Sequence, residues 1–331
     1  MKITFWGTRG SVPIFNIAAA KTGGNTTCVE VESDFLPKHT ALAIDAGTGY
    51  LPFSTNALQH GVKEVHTIFS HHHHDHTQGF LLSPITFNKA IPVTCWGPVE
   101  AGMGPRDVFE RLMAPPFFPV DFSQVASHLT MKPIKSPNTA VIVTHPTGGV
   151  TMLGVEQFER AQNGNAVLPF GQKGRFPKSE CMVIRMFYSN HPERTICYRF
   201  EEPTGKVFVF LTDHENQDAM SQAFKRHIGK ADLLVMDSQY LRKTYDTVTA
   251  GFGHGTADFC VRTAFDTGAK KLGLTHHDPM STDETVEKIL EEGLAFLEKV
   301  RGSPSDKGGV IPLSLSKNNV FLCRDYQSIE L

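Results

Sequence analysis

Apolar residues along this chain fall mostly into short β-branched or aromatic runs, each bounded by Gly, Pro, Asp or Asn. That pattern predicts strands at 2–6, 27–32, 41–45, 65–69 and 92–96, and again at 182–187, 196–201, 207–211, 233–236 and 272–275. Helical spacing concentrates later. Ser281-x-x-Glu284 reads as a capping box, and behind it Val286, Ile289, Leu290, Leu294, Leu297 and Val300 repeat at helical intervals. Segment 256–267 places Ala257, Val261, Ala264 and Phe265 on one face and stops at Gly268, and 217–228 is a third candidate. Strands first, then strands mixed with helices, fits two packed sheets with helices outside, an α/β architecture. Segment 132–178, rich in Gly, Pro, Asn and Thr, reads as an irregular surface excursion or a small subdomain near a site. No repeat or flexible linker is visible, so a single domain over 1–331 is expected.

Composition narrows the function classes. Of 331 residues, 40% are hydrophobic and 20% charged, enough for a sizeable core. Basic and acidic side chains number 32 and 34, a net charge of −2, which argues against a strongly basic nucleic-acid surface or an anionic-membrane binder. No apolar run approaches the roughly 18–20 residues of a membrane helix. The opening Met1-Lys2-Ile3-Thr4-Phe5-Trp6 reads as a strand rather than a signal peptide. Cys28, Cys95, Cys181, Cys197, Cys260 and Cys323 are widely spread with no C-x-x-C pair, as expected of reduced, buried thiols in a cytoplasmic protein.

Histidine is over-represented, with 16 residues, five of them in Ser70-His71-His72-His73-His74-Asp75-His76-Thr77-Gln78-Gly79. In an extended chain His71 and His73 project to the same side, and Asp75 and His76 follow where the chain turns towards a helix start. Imidazoles and a carboxylate converging on one place suit zinc and other first-row ions. The internal position and the Asp-His ending argue against a tag-like run or an adventitious patch. A helix carrying His72 and His76 at i, i+4 is opposed by the preceding strand and by Gly79.

With this H-x-H-x-D-H motif the chain resembles the metallo-β-lactamase superfamily. The resemblance implies a four-layer αββα sandwich with a one- or two-metal site on its rim. It makes His71, His73, Asp75 and His76 ligands, and leaves His72 and His74 in variable positions. Carried on, it matches His191 in Asn190-His191-Pro192 to a further histidine ligand, and Asp213 in Phe210-Leu211-Thr212-Asp213 to the bridging carboxylate. His276, closing Leu272-Gly273-Leu274-Thr275-His276, matches the last ligand, with the adjacent His277 as its alternative. One metal is then expected on His71, His73, His191 and Asp213, and a second on Asp75, His76, His276 and Asp213. Two cations about 3.5–4 Å apart share a hydroxide, the nucleophile of such a site. Zinc is the first expectation for both, with manganese or iron as alternatives.

Phe5-Trp6-Gly7-Thr8-Arg9-Gly10-Ser11, Gly23-Gly24-Asn25-Thr26, Ile44-Asp45-Ala46-Gly47-Thr48-Gly49, Asp237-Ser238-Gln239-Tyr240 and Gly253-His254-Gly255-Thr256 look like one branch of that superfamily. The branch holds phosphoribosyl cyclic phosphate phosphodiesterases, class II cyclic-nucleotide phosphodiesterases and tRNA 3′-processing endonucleases. The likeness covers most of 1–280. It implies hydrolysis of a small phosphodiester, cyclic or nucleotide-derived, with His254 as general acid and Asp75 beside it among the catalytic residues. Arg9, Asn25 and the Phe117 and Phe118 of an apolar, Pro-rich loop are candidates for substrate contact. Two departures concern the substrate: Pro192-Glu193-Arg194 stands where relatives often have Pro-Gly-Gly, and Gly255 where Ser is frequent. The absence of a long basic arm and the near-neutral charge disfavour RNA. Competing readings are a carboxylic ester, lactone or thioester hydrolase on the same site, and a non-catalytic nucleotide-binding sensor. A homo-oligomer is left open, and no membrane association is expected.

Overall fold

The structure is a computed structural model that describes residues 1–164, 166–302 and 315–331. The N-terminal half supplies β1 (Lys2–Gly7), β2 (Cys28–Glu32), β3 (Thr40–Ile44), α1 (Tyr50–Gln59), β4 (Glu64–Ile68), α2 (His74–Leu82), α3 (Pro84–Phe87), β5 (Val93–Pro98), α4 (Pro105–Leu112) and β6 (Leu129–Ile134). Next come β7 (Ala140–His145), β8 (Gly149–Gly154), α5 (Val155–Asn163), β9 (Val167–Pro169), β10 (Arg175–Pro177), β11 (Met182–Tyr188), β12 (Ile196–Glu201) and β13 (Val207–Leu211). The chain ends with α6 (Gln222–Ile228), β14 (Leu233–Asp237), the single turn α7 (Arg242–Thr244), α8 (Ala257–Thr267), β15 (Leu272–Thr275), α9 (Asp283–Gly302), β16 (Val320–Leu322) and β17 (Gln327–Glu330).

Two large sheets result, in the orders β17-β1-β2-β3-β4-β5-β6 and β16-β15-β14-β13-β12-β11-β7-β8. Strand alternation decides what each face meets. In β3, Leu42 and Ile44 enter the core between the sheets, while Ala41 and Ala43 face α1, α2 and α4 through Tyr50, Phe53, Phe80 and Phe109. In β13, Phe208 and Phe210 enter the same inter-sheet core, while Val209 and Leu211 face α6, α8 and α9. Helix, sheet, sheet and helix therefore stack as four layers.

Three expectations are corrected. Segment 132–178 is largely regular: β7 and β8 extend the second sheet, and Phe158 of α5 and Phe170 pack with Val141, Val143 and Val183 in a small core of their own. Its Gly and Pro residues sit at turns between short elements, which hides the pattern. α9 starts at Asp283, and Thr282 Oγ1 accepts from the Thr285 amide at 3.3 Å, whereas the Ser281 hydroxyl turns back to Asp278. Gly79 does not stop a helix; it lies inside α2 because a Cβ there would meet the Gly47 carbonyl oxygen at 1.9 Å. Helix and loop approach more closely than any larger side chain allows.

Strand direction then gathers one edge of both sheets into a rim. β3, β4, β13, β14 and β15 run parallel within their sheets, so their C-terminal ends line up. β12 runs antiparallel to β13, which brings the β11–β12 loop to the same edge. Ligand sites collect at such C-terminal edges because the following loops are free to vary on a rigid base.

Candidate metal centre

The expected ligand set lies just past strand ends, in a loop, or in the first turn of α2 on this rim. After β4 the chain runs on through Phe69 and Ser70. His71–His73 stay extended, and α2 begins at His74, so Asp75 and His76 project from its first turn. Asp213 and His276 follow β13 and β15 with φ of 48° and 62°, and Asp45 follows β3 with φ of 60°. A left-handed turn at a non-glycine residue costs roughly 1–3 kcal/mol. Here it swings each side chain off the strand and across the rim.

The side chains converge in two adjacent groups, His71, His73, His191 and Asp213, and Asp75, His76 and His276, with ligand atoms within 4.8 Å of one another in each. His71 Nε2 lies 3.6 Å from Asp213 Oδ2, and His76 Nε2 lies 3.3 Å from both Asp75 Oδ2 and Asp213 Oδ1. His276 Nε2 lies 3.2 Å from Asp75 Oδ2 and 3.4 Å from Asp213 Oδ1. Asp213 thus presents one oxygen to each group. Bonds of about 2.0–2.1 Å around a tetrahedral zinc put neighbouring ligand atoms about 3.3–3.4 Å apart, which is the spacing seen.

The other ring nitrogens are fixed from behind. His191 Nδ1 donates to the Gly253 carbonyl at 3.0 Å, His276 Nδ1 to Gln239 Oε1 at 2.9 Å and His76 Nδ1 to Asp45 Oδ2 at 2.9 Å. Each acceptor leaves an Nε2 lone pair aimed inward, the tautomer a metal requires. His71 Nε2, His76 Nε2 and His191 Nε2 are buried and have no hydrogen-bond partner among the described residues. Buried polar atoms are normally paired, so these orphans fit a divalent cation.

Charge balance points the same way. Asp45, Asp75, Asp213 and Asp237 are all buried around this point. Burial alone would raise Asp75, yet His76 and His276 hold it well below the usual carboxylate range, and Asp213 behaves alike beside His276, His76 and His71. Burial opposes a charge on His76, but Asp75, Asp213 and Asp45 outweigh it and lift its pKa well above the ordinary value. Such a proton is what an arriving cation replaces.

His254 stands at the edge of the cluster, its ring stacked on His276 at 4.8 Å between centroids, and it forms a third group with Asp213 and His276. Its Nδ1 donates to Asp237 Oδ2 at 2.7 Å. Burial opposes its charge, but Asp237, with Asp213 and Asp75 behind it, raises its pKa to about 9.

Other expected site residues are placed elsewhere. Arg9 is 0% exposed, and its guanidinium donates to the Gly23, Asp278 and Ser281 carbonyls and to Thr22 Oγ1. It therefore ties loops together and has no face for substrate, a correction to the expected contact. Asn25 likewise bonds within the framework, to the Trp6 carbonyl, Tyr326 and Thr48. Phe118, 8% exposed, belongs to the core under α1–α4, and Phe117 is 86% exposed. Neither lines the cavity of about 250 Å³ that opens beside His71 and His73, walled by Pro98, Met103, Val108, Arg111, Leu112 and Arg194 among others. His277 turns away, its Nε2 donating to the Cys323 carbonyl, so His276 is the residue at the cluster. His72 packs on Phe69, and His74 is exposed.

Several residues that matter here were not singled out from sequence. Asp45, Asp237 and Gln239 lie in quoted motifs but hold ligand or acid histidines 31, 17 and 37 positions away. The Ser11 amide donates to Asp75 Oδ2 at 2.7 Å. His214, buried, accepts from the Asn190 amide at 3.1 Å and so anchors the loop that carries His191. Glu193 reaches the cluster from outside. Among the described residues no helix is long and apolar enough to cross a membrane, and all six cysteines are free and buried.

No protein-family model matches the chain. Ribonuclease Z of Brevibacillus brevis is 32% identical over 100 residues, a match spanning 30% of this chain and 30% of that protein. Among solved structures, the metallo-β-lactamase fold protein YhfI from Bacillus subtilis superposes with a TM-score of 0.59 at 18% identity, covering 99% of this chain and 98% of that one. The short form of human tRNase Z gives 0.57 at 18% identity over 100% and 99%. Unliganded yeast PDE1 gives 0.61 at 12% identity over 100% and 99%. The architecture is the metallo-β-lactamase fold.

Proposed function

We propose that this protein is a dinuclear metal-dependent hydrolase of a small phosphodiester, cyclic or nucleotide-derived, with His254 as the general acid. The observation that carries the reading is the Asp237–His254 pair, joined at 2.7 Å, standing against the converging histidine and aspartate cluster. His71, His73, His191 and Asp213 would hold one cation, and Asp75, His76, His276 and Asp213 the other. When bound, such a pair supplies Lewis acidity towards a phosphoryl oxygen and acidifies water, and the donor set suits zinc first, with manganese or iron as alternatives.

The chain's own residues do the rest. A phosphodiester releases an alkoxide, which leaves slowly unless it is protonated as the bond breaks. His254 can give that proton because Asp237 occupies Nδ1 and favours the charged ring, leaving Nε2 for the departing oxygen. An activated aryl ester or a thioester needs no such donor, so the pair speaks for a substrate with a poor leaving group. Asp75, fixed by the Ser11 amide, faces the same space and orients the attacking water. The cavity beside His71 and His73 has an apolar wall with Arg111 and Arg194, and its size suits one small organic group. Zinc-bound PqqB from Methylobacterium extorquens and a diphosphatase of the PhnP family share the fold at 11% and 16% identity, so the fold accommodates zinc in one protein and diphosphate cleavage in another.

The test is hydrolysis of an aryl phosphodiester by metal-stripped protein, titrated separately with zinc and manganese, with Asp213→Ala as control. Activity rising to a plateau near two equivalents, and absent in the control, is expected. Stoichiometric metal binding without turnover would transfer the reading to ester or thioester chemistry, and then to a sensor.

A further inference from the structure

We infer that Glu193 is an additional protein ligand of the metal held by His71, His73, His191 and Asp213, closing that site on its solvent side. The inference rests on the metal-binding reading above. Glu193 Oε2 lies 3.2 Å from His73 Nε2 and 3.4 Å from His191 Nε2. Those separations equal the ones between the other ligand atoms, which run from 3.2 to 3.6 Å. They also match the edge of a coordination shell with bonds of about 2.0–2.1 Å. That oxygen stands against two of the group's nitrogens and outside the four whose ligand atoms all lie within 4.8 Å of one another, so it would join their shell as a further ligand from the solvent side.

The loop is built to hold it there. Glu193 follows His191 by two residues in the β11–β12 connection. The Thr195 amide donates to the Glu193 carbonyl at 2.8 Å, and the Ser189 amide donates to the Thr195 carbonyl at 2.8 Å. Ser189 and Asn190 are pinned in turn to the buried His214. The neighbouring Arg194 does not answer the Glu193 charge: it lies 3.6 Å from Glu100 and over the Tyr188 ring. Among the described residues, the groups within ion-pair reach of Glu193 are the two imidazoles. Its side chain is 44% exposed, at the mouth of the cavity beside His71 and His73, so an incoming substrate oxygen can displace it. A carboxylate that occupies this face in the resting protein makes the metal more tightly held and less open until substrate arrives.

The experiment compares wild type, Glu193→Gln, Glu193→Ala and Asp213→Ala for zinc binding by chelator competition, and for the visible spectrum of the cobalt(II)-loaded protein. Thermal melts of the metal-free proteins check folding. Loss of a ligand is expected to weaken one of the two equivalents at least ~10-fold in both Glu193 variants. The cobalt band should intensify as the coordination number falls. Wild-type affinity for both equivalents with an unchanged cobalt band in Glu193→Gln would overturn the inference while leaving the dinuclear site standing. Failure of wild type to bind two equivalents would sink both.

Discussion

Gly10 tests the metal centre through a residue that is not itself a ligand. A Cβ at Gly10 would sit 2.4 Å from His276 Cε1, 2.5 Å from Nδ1 and 3.0 Å from Nε2, against an ordinary contact of 3.4–4 Å. The ring would have to retreat by about 1 Å, five times the roughly 0.2 Å latitude of a metal bond. It has little room to do so, because it stacks on His254 and its Nδ1 is bonded to Gln239. The Gly10 amide donates to the His277 carbonyl at 3.0 Å and its φ is not left-handed, so the backbone itself accepts alanine. Gly10→Ala should therefore cost the metal-free fold about 1–3 kcal/mol of overpacking without unfolding it, and weaken one zinc equivalent about 100-fold, about 2.7 kcal/mol. Gln239→Ala, which releases the same ring without crowding it, should lose affinity in the same equivalent. Chelator competition reads the affinity, and a circular-dichroism melt of the stripped protein reads the fold. A Gly10→Ala protein that takes up both equivalents with wild-type affinity would refute the placement of His276.

Three other outcomes follow from the same geometry. His254→Asn should lower kcat/KM about 10²–10⁴-fold for an alkyl phosphodiester and much less for a nitrophenyl ester, whose leaving group needs no proton; equal losses would end the general-acid role. Activity that needs protonated His254 is lost as pH rises through its pKa, which Asp237 holds up against burial, so Asp237→Asn, which removes the largest raising partner, should move the alkaline limb of the rate profile to lower pH. Asp45→Ala strips the partner from His76 and from the Ser70 amide and hydroxyl, and should cost 10–100-fold in metal affinity by titration. Glu30 concerns stability instead. Burial raises its carboxyl to about 7 although the Trp6 indole donates to it. Its folded pKa exceeds the unfolded one, so its contribution is fully present below about pH 4.5 and lost as pH rises through 7, a swing of about 3 kcal/mol. Glu30→Gln should raise the melting temperature at pH 8.5, with the gain shrinking towards pH 5; an equal gain at both would exclude the titration.

The sequence by itself determined the strands that carry the site and much of the cluster. Runs such as Val207-Phe208-Val209-Phe210-Leu211 alternate between two cores, and that alternation is a local property. The ligand types of 71–76 and the polar residues that end β13 and β15 were legible for the same reason. Of helices α1 to α4 only the start of α2 was legible, because their helical state depends on contacts such as Gly79 against Gly47, made only once the layers stack. Tertiary structure also decided the partners. Asp45 reaches His76 and Gln239 reaches His276 because parallel strands end side by side, which no spacing along the chain encodes. It decided against Arg9, whose charge is absorbed by three carbonyls and a hydroxyl from distant loops. And it chose between His276 and His277. Adjacent residues at a strand end point opposite ways, and only the sheet's place in the sandwich settles which way faces the metals and which faces Cys323.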